Sequence, residues 1–482
     1  MDESWLTSVG IDIGTSTTKM IASRLRLGRT SGTFALPRYE IVERKLIYMS
    51  PIVPTPLRSE DEIDPEAIFR LLMREYENAG LRMEDIKSGA VIITGETATK
   101  KNAQHIVHML AEKAGDFVVA TAGADLEGVL AGKGSGAEER SKRMRGVVAN
   151  VDIGGGTANT AFFSRGRCIG TVTFHIGGRL IRLDESGLIR YVSPHLKRWL
   201  EARGYVLAPG ERTTFAELSD IAARLAGEML DYLRGGAADA GFRALILGSE
   251  PQALPKIDEI MISGGVGQMM SGPPPADLKQ TAVYGDFGPV LAAALARLAE
   301  TSPLPFVPPA QAARATVIGA GMQSTEISGA TVHFDALLLP IRNVPVLPLE
   351  LEAEDLVSGD AARARVAAVL ETGMRLFDPA AQPPFALAVK GLRYCTYAQL
   401  QMIAEALSSE YRARFSGAKL LCVVCENDMA KALGQALALR CGNDLQLLCI
   451  DQIRVEHGDY IDFGEPISGT MIPVVIKTLA FN

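Results

Sequence analysis

The sequence predicts an α/β protein in which two similar lobes enclose a nucleotide and a further α/β unit follows. The first observation is a repeated motif, because residues 10–17 and 150–157 each combine an apolar strand, an aspartate, a glycine turn and a threonine. The second is another glycine turn at residues 263–267, again after an apolar strand. The third is an alternation of predicted helices and strands beyond a proline-rich segment, which is typical of α/β domains.

The 482-residue chain is longer than one hydrophobic core usually supports, so two or three domains are expected. A proline-rich segment at 303–309 is the predicted linker. The predicted domains are a first lobe at 1–145, a second lobe at 146–302 and a C-terminal extension at 310–482.

Helices are indicated most clearly by their termini. Residues 64–80 have a helical rhythm of apolar side chains, with Pro65 at the start and Gly80 at the end. Thr214 is a candidate N-cap for a long amphipathic helix that follows it. In the extension we expect helices at 360–372, 397–411 and 428–440, and strands at 386–390, 420–425 and 446–450.

The repeated motif has the chemistry of a phosphate-binding hairpin. Glycines allow backbone N–H groups to approach an anion closely, and threonine hydroxyls add further donors. Asp12 and Asp152 end the two strands, where a carboxylate can hold a hydrated Mg²⁺ and orient or deprotonate a water. The candidate phosphate-binding residues are Gly14, Thr15, Thr17, Gly154, Gly155, Gly156 and Thr157.

The third glycine turn is the candidate adenosine loop. Gly264 and Gly265 would let a flat base and ribose lie against the backbone. A single glycine turn of this kind is equally well explained as an ordinary turn at the end of a buried strand. Two matching copies about one domain length apart, followed by a third turn, favour a nucleotide site.

This order of loops resembles the actin-like ATPase superfamily. The resemblance implies two ribonuclease H-like lobes, bound ATP and Mg²⁺, and catalytic and metal-binding roles for Asp12 and Asp152. It also implies two helices that connect the lobes, for which residues 121–132 and 285–299 are the candidates.

Five stretches of the chain narrow the resemblance within that superfamily: residues 8–19, 94–98, 122–132, 151–160 and 174–178. In these stretches the chain resembles the reactivating factors of ethanolamine ammonia-lyase. The resemblance implies ATP-dependent, chaperone-like exchange of inactive cobalamin for adenosylcobalamin. The partner would be the lyase, and adenosylcobalamin would be reached only through it.

Two departures from the superfamily pattern predict slow ATP turnover. Many heat-shock-type members have an acidic residue where this chain has Asn159. No lysine of this chain is assigned as the equivalent of their catalytic lysine. Lys19 follows the first loop, but the sequence does not give the direction of its side chain. Two alternatives stay open: a small-molecule kinase of the same superfamily, and a nucleotide-switched structural protein.

The composition bears on partners and location. A net charge of −7, from 49 basic and 56 acidic residues, argues against a nucleic-acid partner. No apolar run reaches the roughly 18 residues of a membrane helix, so neither a membrane partner nor a membrane span is expected. Residues 1–3 do not begin a signal peptide. The predicted location is the cytoplasm, and the resemblance leaves open association with a bacterial microcompartment.

Cys422 and Cys425 are predicted to lie buried in the core, where a free cysteine acts as a small apolar side chain.

Overall fold

The computed structural model confirms the predicted α/β class. It forms three large sheets, whose strands come from residues 5–121, 148–263 and 325–478 in turn. The residues that the structure describes are 5–14, 17–29, 39–59, 62–93, 118–121, 124–248, 253–320, 325–328, 331–352, 354–376, 383–392, 394–442, 444–455, 459–466 and 471–478.

The first lobe is built on a six-stranded sheet. Three antiparallel strands, β3-β2-β1, are followed by β7 and β8, which run parallel to β1, and β4 pairs with β2. A small ribbon, β5-β6, lies outside this sheet. The elements are β1 (Trp5–Ile13), β2 (Thr17–Arg29), β3 (Tyr39–Met49), β4 (Val53–Pro54), β5 (Leu57–Ser59), β6 (Glu62–Ile63), α1 (Pro65–Ala79), β7 (Ile86–Ile93) and β8 (Val118–Thr121).

Helix α1 confirms the helix predicted at 64–80. Asp64 is its N-cap and accepts a hydrogen bond from the Ala67 N–H at 3.0 Å. Gly80 ends it in the left-handed region at φ 66°, where glycine costs least. The apolar face of α1 packs on the sheet through Ile68 and Leu72. Residues 94–98, one of the stretches that carry the family resemblance, lie outside the described residues.

The second lobe repeats the arrangement of the first. Its antiparallel strands β11-β10-β9 are followed by β15, which runs parallel to β9. This order, found twice, confirms the predicted actin-like, ribonuclease H-like core. Two helices, α2 (Ala124–Ser135) and α3 (Ala137–Arg143), precede it. Its elements are β9 (Val148–Ile153), β10 (Ala158–Ser164), β11 (Arg167–Phe174), β12 (Ile181–Leu183), β13 (Ile189–Val192), α4 (Pro194–Ala202), α5 (Phe215–Leu233), α6 (Ala240–Arg243), β14 (Ile246–Leu247), β15 (Glu259–Ser263), α7 (Gly264–Met269), α8 (Leu278–Thr281) and α9 (Gly288–Thr301).

Helix α5 begins after Thr214, as predicted, and the Thr214 hydroxyl accepts a hydrogen bond from the Glu217 N–H at 3.1 Å.

The proline-rich segment after α9, predicted as a linker, is hydrogen-bonded to the second sheet. The Ile260 N–H donates to the Pro305 carbonyl, and the Val307 N–H donates to the Ile260 carbonyl. These residues therefore extend the second sheet beside β15.

The second connecting helix is not where the sequence predicted it. The region 285–299 does form a helix, α9, but it packs against α5 inside the second lobe. The helix that crosses α2 is instead α10 (Ala315–Ile318). Glycines bring the two backbones together: a Cβ on Gly134 would lie 1.8 Å from the Ala315 oxygen, and one on Gly319 would lie 1.9 Å from the Leu130 oxygen. Alanine and leucine content alone does not show which of the two helices, α9 or α10, connects the lobes.

The C-terminal extension contains the third sheet, in the order β16-β23-β22-β18-β19-β20-β21-β17. Strands β18 to β21 are parallel, and three helices cover one face of them. The elements are β16 (Thr325–Ile327), β17 (His333–Phe334), β18 (Ile341–Glu350), α11 (Gly359–Leu376), β19 (Ala386–Lys390), α12 (Tyr397–Arg414), β20 (Leu420–Cys425), α13 (Ala430–Cys441), β21 (Gln446–Asp451), β22 (Asp459–Phe463) and β23 (Pro473–Thr478).

The predicted alternation in the extension is confirmed, and so is the burial of Cys422 and Cys425 in β20. The sequence did not predict where the extension packs. Val475 of β23 joins Ile92 of β7 and Leu130 of α2 in one buried cluster, so the extension lies on the first lobe. Among the described residues, none of the helices is long and apolar enough to cross a membrane.

Candidate nucleotide-binding site

The two predicted phosphate loops are closed by equivalent hydrogen bonds. In the first, the Gly14 N–H donates to the Thr17 carbonyl at 3.0 Å. In the second, the Gly154 N–H donates to the Thr157 carbonyl, also at 3.0 Å. Each loop therefore closes a hairpin between two antiparallel strands, and the sequence repeat is also a structural repeat.

Strand register places a different residue opposite each aspartate. Asp12 pairs with Lys19 across the first hairpin, and Asp152 pairs with Asn159 across the second. Directly paired residues of antiparallel strands have their side chains on the same face. The Lys19 Nζ accordingly lies 3.3 Å from the Asp12 Oδ2, and only 16% of the Lys19 side chain is exposed.

Lys19 is a candidate site residue that the sequence analysis left unassigned. The available signal was the spacing, because a turn closed between Gly14 and Thr17 leaves positions 12 and 19 equally far from it. The lysine that follows the first loop is thus directed at the aspartate that precedes it.

Asp152 is buried between the lobes. Its Oδ1 accepts a hydrogen bond from the Ser263 hydroxyl at 2.6 Å, and its Oδ2 accepts one from the Thr316 hydroxyl at 3.3 Å. Burial is the largest influence on the pKa of the Asp152 carboxyl and raises it. The Ser263 hydrogen bond and the charge of Lys19 lower this pKa, whereas the charge of Asp12 raises it. Charges of the first hairpin thus act on a carboxyl group of the second.

Each loop is supported from behind. The Thr55 hydroxyl donates to the Gly14 carbonyl at 2.7 Å. The Gly178 N–H donates to the Gly154 carbonyl at 3.0 Å, and the Arg179 N–H donates to the Gly155 carbonyl at 2.7 Å. These hydrogen bonds give the carbonyl oxygens of Gly14, Gly154 and Gly155 partners within the protein.

The glycines of the second loop border open space. A Cβ on Gly154 or Gly156 would meet no atom within 4 Å. Gly177 packs against this loop, and glycine is required there because a Cβ would be 2.4 Å from the Gly155 oxygen. The second loop therefore has room in front of it for a phosphate chain.

The predicted adenosine loop is the first turn of helix α7. Gly264 has a φ of +84°, and a Cβ there would lie 2.3 Å from the Ile153 oxygen, so glycine is required by conformation and by space. Gly265 is exposed, and a Cβ there would meet nothing within 4 Å. The loop thus packs on the end of β9 through Gly264 and presents Gly265 outward.

Two ionisable groups lie near the second loop. Burial raises the pKa of Asp286 to about 6, although the Gly288 N–H donates to it and Arg179 lies 3.8 Å away. His175 stacks on His195 with ring centroids 3.7 Å apart. Burial lowers the pKa of His175 to about 4, and the His195 charge acts in the same direction.

The structure brings together most of the predicted site. Asp12 and Asp152 end equivalent strands and interact electrostatically, and Gly264 packs against the strand that carries Asp152. Thr15 lies outside the described residues. Two carboxylates with a lysine between two glycine loops fit a hydrated Mg²⁺ and a phosphate chain, because Mg²⁺ keeps several waters and takes few protein carboxylates.

Comparison with known proteins supplies the family. A family model described as "Ethanolamine utilisation protein EutA" matches residues 4–482. The ethanolamine ammonia-lyase reactivase EutA of Salmonella typhimurium (strain LT2) is 36% identical over 483 residues, and the match covers all of both chains. The protein of the same name from Escherichia coli (strain K12) is 35% identical with the same coverage.

Solved structures give weaker similarities. A Ppx/GppA family member from Aquifex aeolicus is 14% identical, covers 66% of this chain and 97% of its own, and has a TM-score of 0.39. The activator of the 2-hydroxyisocaproyl-CoA dehydratase from Clostridium difficile, with bound ADPNP, is 12% identical, covers 66% and 93%, and has a TM-score of 0.30. TM-scores this low carry no argument about function. The full-length matches in sequence identify the family. The chain belongs to the family of ethanolamine utilisation protein EutA.

Proposed function

We propose that this protein reactivates ethanolamine ammonia-lyase in a reaction that requires ATP and Mg²⁺. The names of the full-length relatives support the lyase as partner. The observation that carries the nucleotide part is the pairing of Lys19 with Asp12, with both charges acting on Asp152 across the cleft. Such a cluster suits a charged ligand that bridges the two lobes.

Each group of residues would have a separate task in the cleft. Asp12 and Asp152 would hold the hydrated metal ion, and Lys19 would neutralise phosphate oxygens. The N–H groups of the two loops, with the hydroxyls of Thr15, Thr17 and Thr157, would hold the phosphate chain. Bound Mg²⁺ supplies positive charge beside the phosphates.

Nucleotide binding would act on the partner through the lobes. A ligand held by both hairpins favours one arrangement of the lobes, and it shifts the equilibrium only by its differential affinity for the two arrangements. Because the C-terminal extension packs on the first lobe through Val475 and Ile92, movement of that lobe carries the extension with it. We propose that this motion releases inactive cobalamin from the lyase, so that adenosylcobalamin enters.

Slow turnover agrees with this use of ATP. Asn159, opposite Asp152, contributes no second carboxylate to the site. The proposed location remains the cytoplasm, with the lyase, and association with a bacterial microcompartment remains a prediction.

The test uses inactivated ethanolamine ammonia-lyase, this protein, Mg-ATP and adenosylcobalamin, with recovered lyase activity as the measurement. The D12N and D152N variants keep the side-chain shape but remove the charge, and each is expected to abolish recovery. D360N, at an exposed position on α11, is the matched control and should leave recovery unchanged. Recovery that is equal with and without ATP would refute the proposal.

A further inference from the structure

We infer that Thr316 is a positioning residue for Asp152, through which helix α10 links the arrangement of the lobes to the metal-binding carboxylate. The inference rests on the proposed function, since it concerns how Mg²⁺ would be held in the cleft.

Asp152 is held by two hydroxyl donors, one on each carboxylate oxygen. The Ser263 Oγ is 2.6 Å from Oδ1 and the Thr316 Oγ1 is 3.3 Å from Oδ2. Ser263 and Thr316 are themselves buried. A carboxylate held at both oxygens is fixed in rotation, and each oxygen keeps a further lone pair for a ligand.

The two donors come from elements with different surroundings. Ser263 is the first residue of the adenosine loop, and its Oγ accepts a hydrogen bond from the Asn150 Nδ2 at 2.9 Å. Asn150 and Asp152 lie on the same strand, β9, so the Ser263 contact is internal to the second lobe. It should persist when the lobes move.

The Thr316 contact joins different parts of the chain. Val317 and Ile318, the next residues of α10, pack with Ile21 of β2 in one buried cluster. The Arg314 Nη2 donates to the Ser50 carbonyl, beside the same hairpin, at 2.8 Å. Helix α10 therefore contacts the first lobe and also crosses α2, which packs on the strands of the second lobe, whereas Asp152 belongs to the second lobe alone.

This geometry makes the longer hydrogen bond the sensitive one. Because α10 contacts both lobes, movement of the first hairpin relative to the second displaces α10 through Ile21 and Ser50, and the 3.3 Å contact lengthens while the 2.6 Å contact is retained. A hydroxyl that donates to a carboxylate oxygen fixes the direction of that oxygen. Asp152 would thus be oriented for Mg²⁺ only when the lobes are in the arrangement that brings Thr316 to it.

The experiment compares T316V, which removes the hydroxyl at nearly constant volume, with T316S, which retains it. T372V, on the exposed side of α11, is the control for a threonine far from the cleft. Binding of a fluorescent ATP analogue is titrated against Mg²⁺ and repeated in EDTA. T316V is expected to require about tenfold more Mg²⁺ for half-maximal effect, as expected for loss of one hydrogen bond to a charged group. Affinity in EDTA should be unchanged, and T316S and T372V should match the wild type.

An unchanged Mg²⁺ requirement in T316V would overturn the inference, as would an equal loss of affinity with and without Mg²⁺. A second measurement needs no nucleotide: amide hydrogen exchange at residues 152–157 should be about tenfold faster in T316V than in T316S, with strand β20 unchanged as reference. Equal exchange in the two variants would also overturn it. If the wild type binds no Mg-ATP, the proposed function fails, and the exchange result still decides whether Thr316 positions Asp152.

Discussion

Lys19 and Asn159 occupy equivalent positions in the two hairpins, each directly opposite the aspartate that ends the first strand. The repeat is thus symmetric in backbone and asymmetric in charge. The first hairpin contributes an ion pair, in which Lys19 lies 3.3 Å from Asp12, and the second contributes a carboxylate opposite a neutral amide. Among the described residues, the two hairpins bring one lysine together with two aspartates, and this difference makes the two halves separately testable.

Replacing Lys19 by methionine should weaken Mg-ATP binding by at least about tenfold, because a charge-assisted hydrogen bond to a phosphate is lost. Isothermal titration calorimetry measures the affinity. K197M is the matched control. Lys197 is exposed on α4, and its Nζ lies 4.0 Å from the Glu201 carboxylate, in a surface ion pair that contributes little to stability. Equal affinities of K19M and the wild type would remove Lys19 from the site.

Replacing Asn159 by aspartate should place a second buried carboxylate opposite Asp152. Without metal, the like charges are expected to lower the free energy of unfolding by about 2–4 kcal/mol at neutral pH. Mg²⁺ should recover much of this loss, so that the melting temperature of N159D depends on Mg²⁺ more steeply than that of the wild type. N159A removes the amide without adding charge and separates repulsion from lost packing. A melting temperature of N159D that is independent of Mg²⁺ would contradict the placement of the metal at Asp152.

The adenosine loop offers two adjacent glycines with opposite expectations. G264A should destabilise the protein by about 2–4 kcal/mol, because the residue has φ +84° and a Cβ would lie 2.3 Å from a backbone oxygen. G265A should fold with a melting temperature no lower than that of the wild type, since its Cβ meets open space and alanine is the better helix former. If the base lies against this loop, G265A should nevertheless bind ATP more weakly, which a binding titration measures. Unchanged affinity in a well-folded G265A would place the base elsewhere.

Asp286 should make the protein less stable as pH rises. Its folded pKa, about 6, is above the ordinary value of 3.8, so between these values the folded state binds more protons than the unfolded state. The stabilisation is present below pH 3.8 and lost as pH rises through 6, by up to about 3 kcal/mol. His175, with a folded pKa of about 4 against 6.5, has the opposite slope between those values.

The two slopes are separated by comparing the wild type with D286N, which does not titrate. The difference in unfolding free energy between them, from urea titrations at pH 4 to 7, should change in favour of D286N as pH rises. H175Q, measured in parallel, should lose the opposite slope. A difference that does not vary with pH would show that Asp286 titrates normally.

The sequence predicted what depends on local pattern. The two hairpins were visible because each strand, aspartate and glycine turn lies within eight residues, and the caps at Asp64 and Thr214 were visible for the same reason. The direction of Lys19 needed the length of the turn as well as its composition. Thr316 could not be found, because its relation to Asp152 spans 164 positions and depends on how helix α10 crosses α2. Packing of the extension on the first lobe is likewise a long-range contact without a local signature.

The crossing of α2 and α10 provides the last test, because it depends on glycine. A Cβ on Gly134 would lie 1.8 Å from the Ala315 oxygen, so G134A must push the helices apart, although alanine is the better helix former. We expect a net loss of about 2–4 kcal/mol in unfolding free energy, measured by urea titration followed by circular dichroism. G227A is the matched control: Gly227 lies within α5, its Cβ would meet nothing within 4 Å, and the change should stabilise by about 0.5–1 kcal/mol. Because displacement of α10 also moves Thr316 away from Asp152, G134A should need more Mg²⁺ to bind ATP, whereas G227A should not. If both substitutions stabilise the protein equally, the two helices do not cross in close contact.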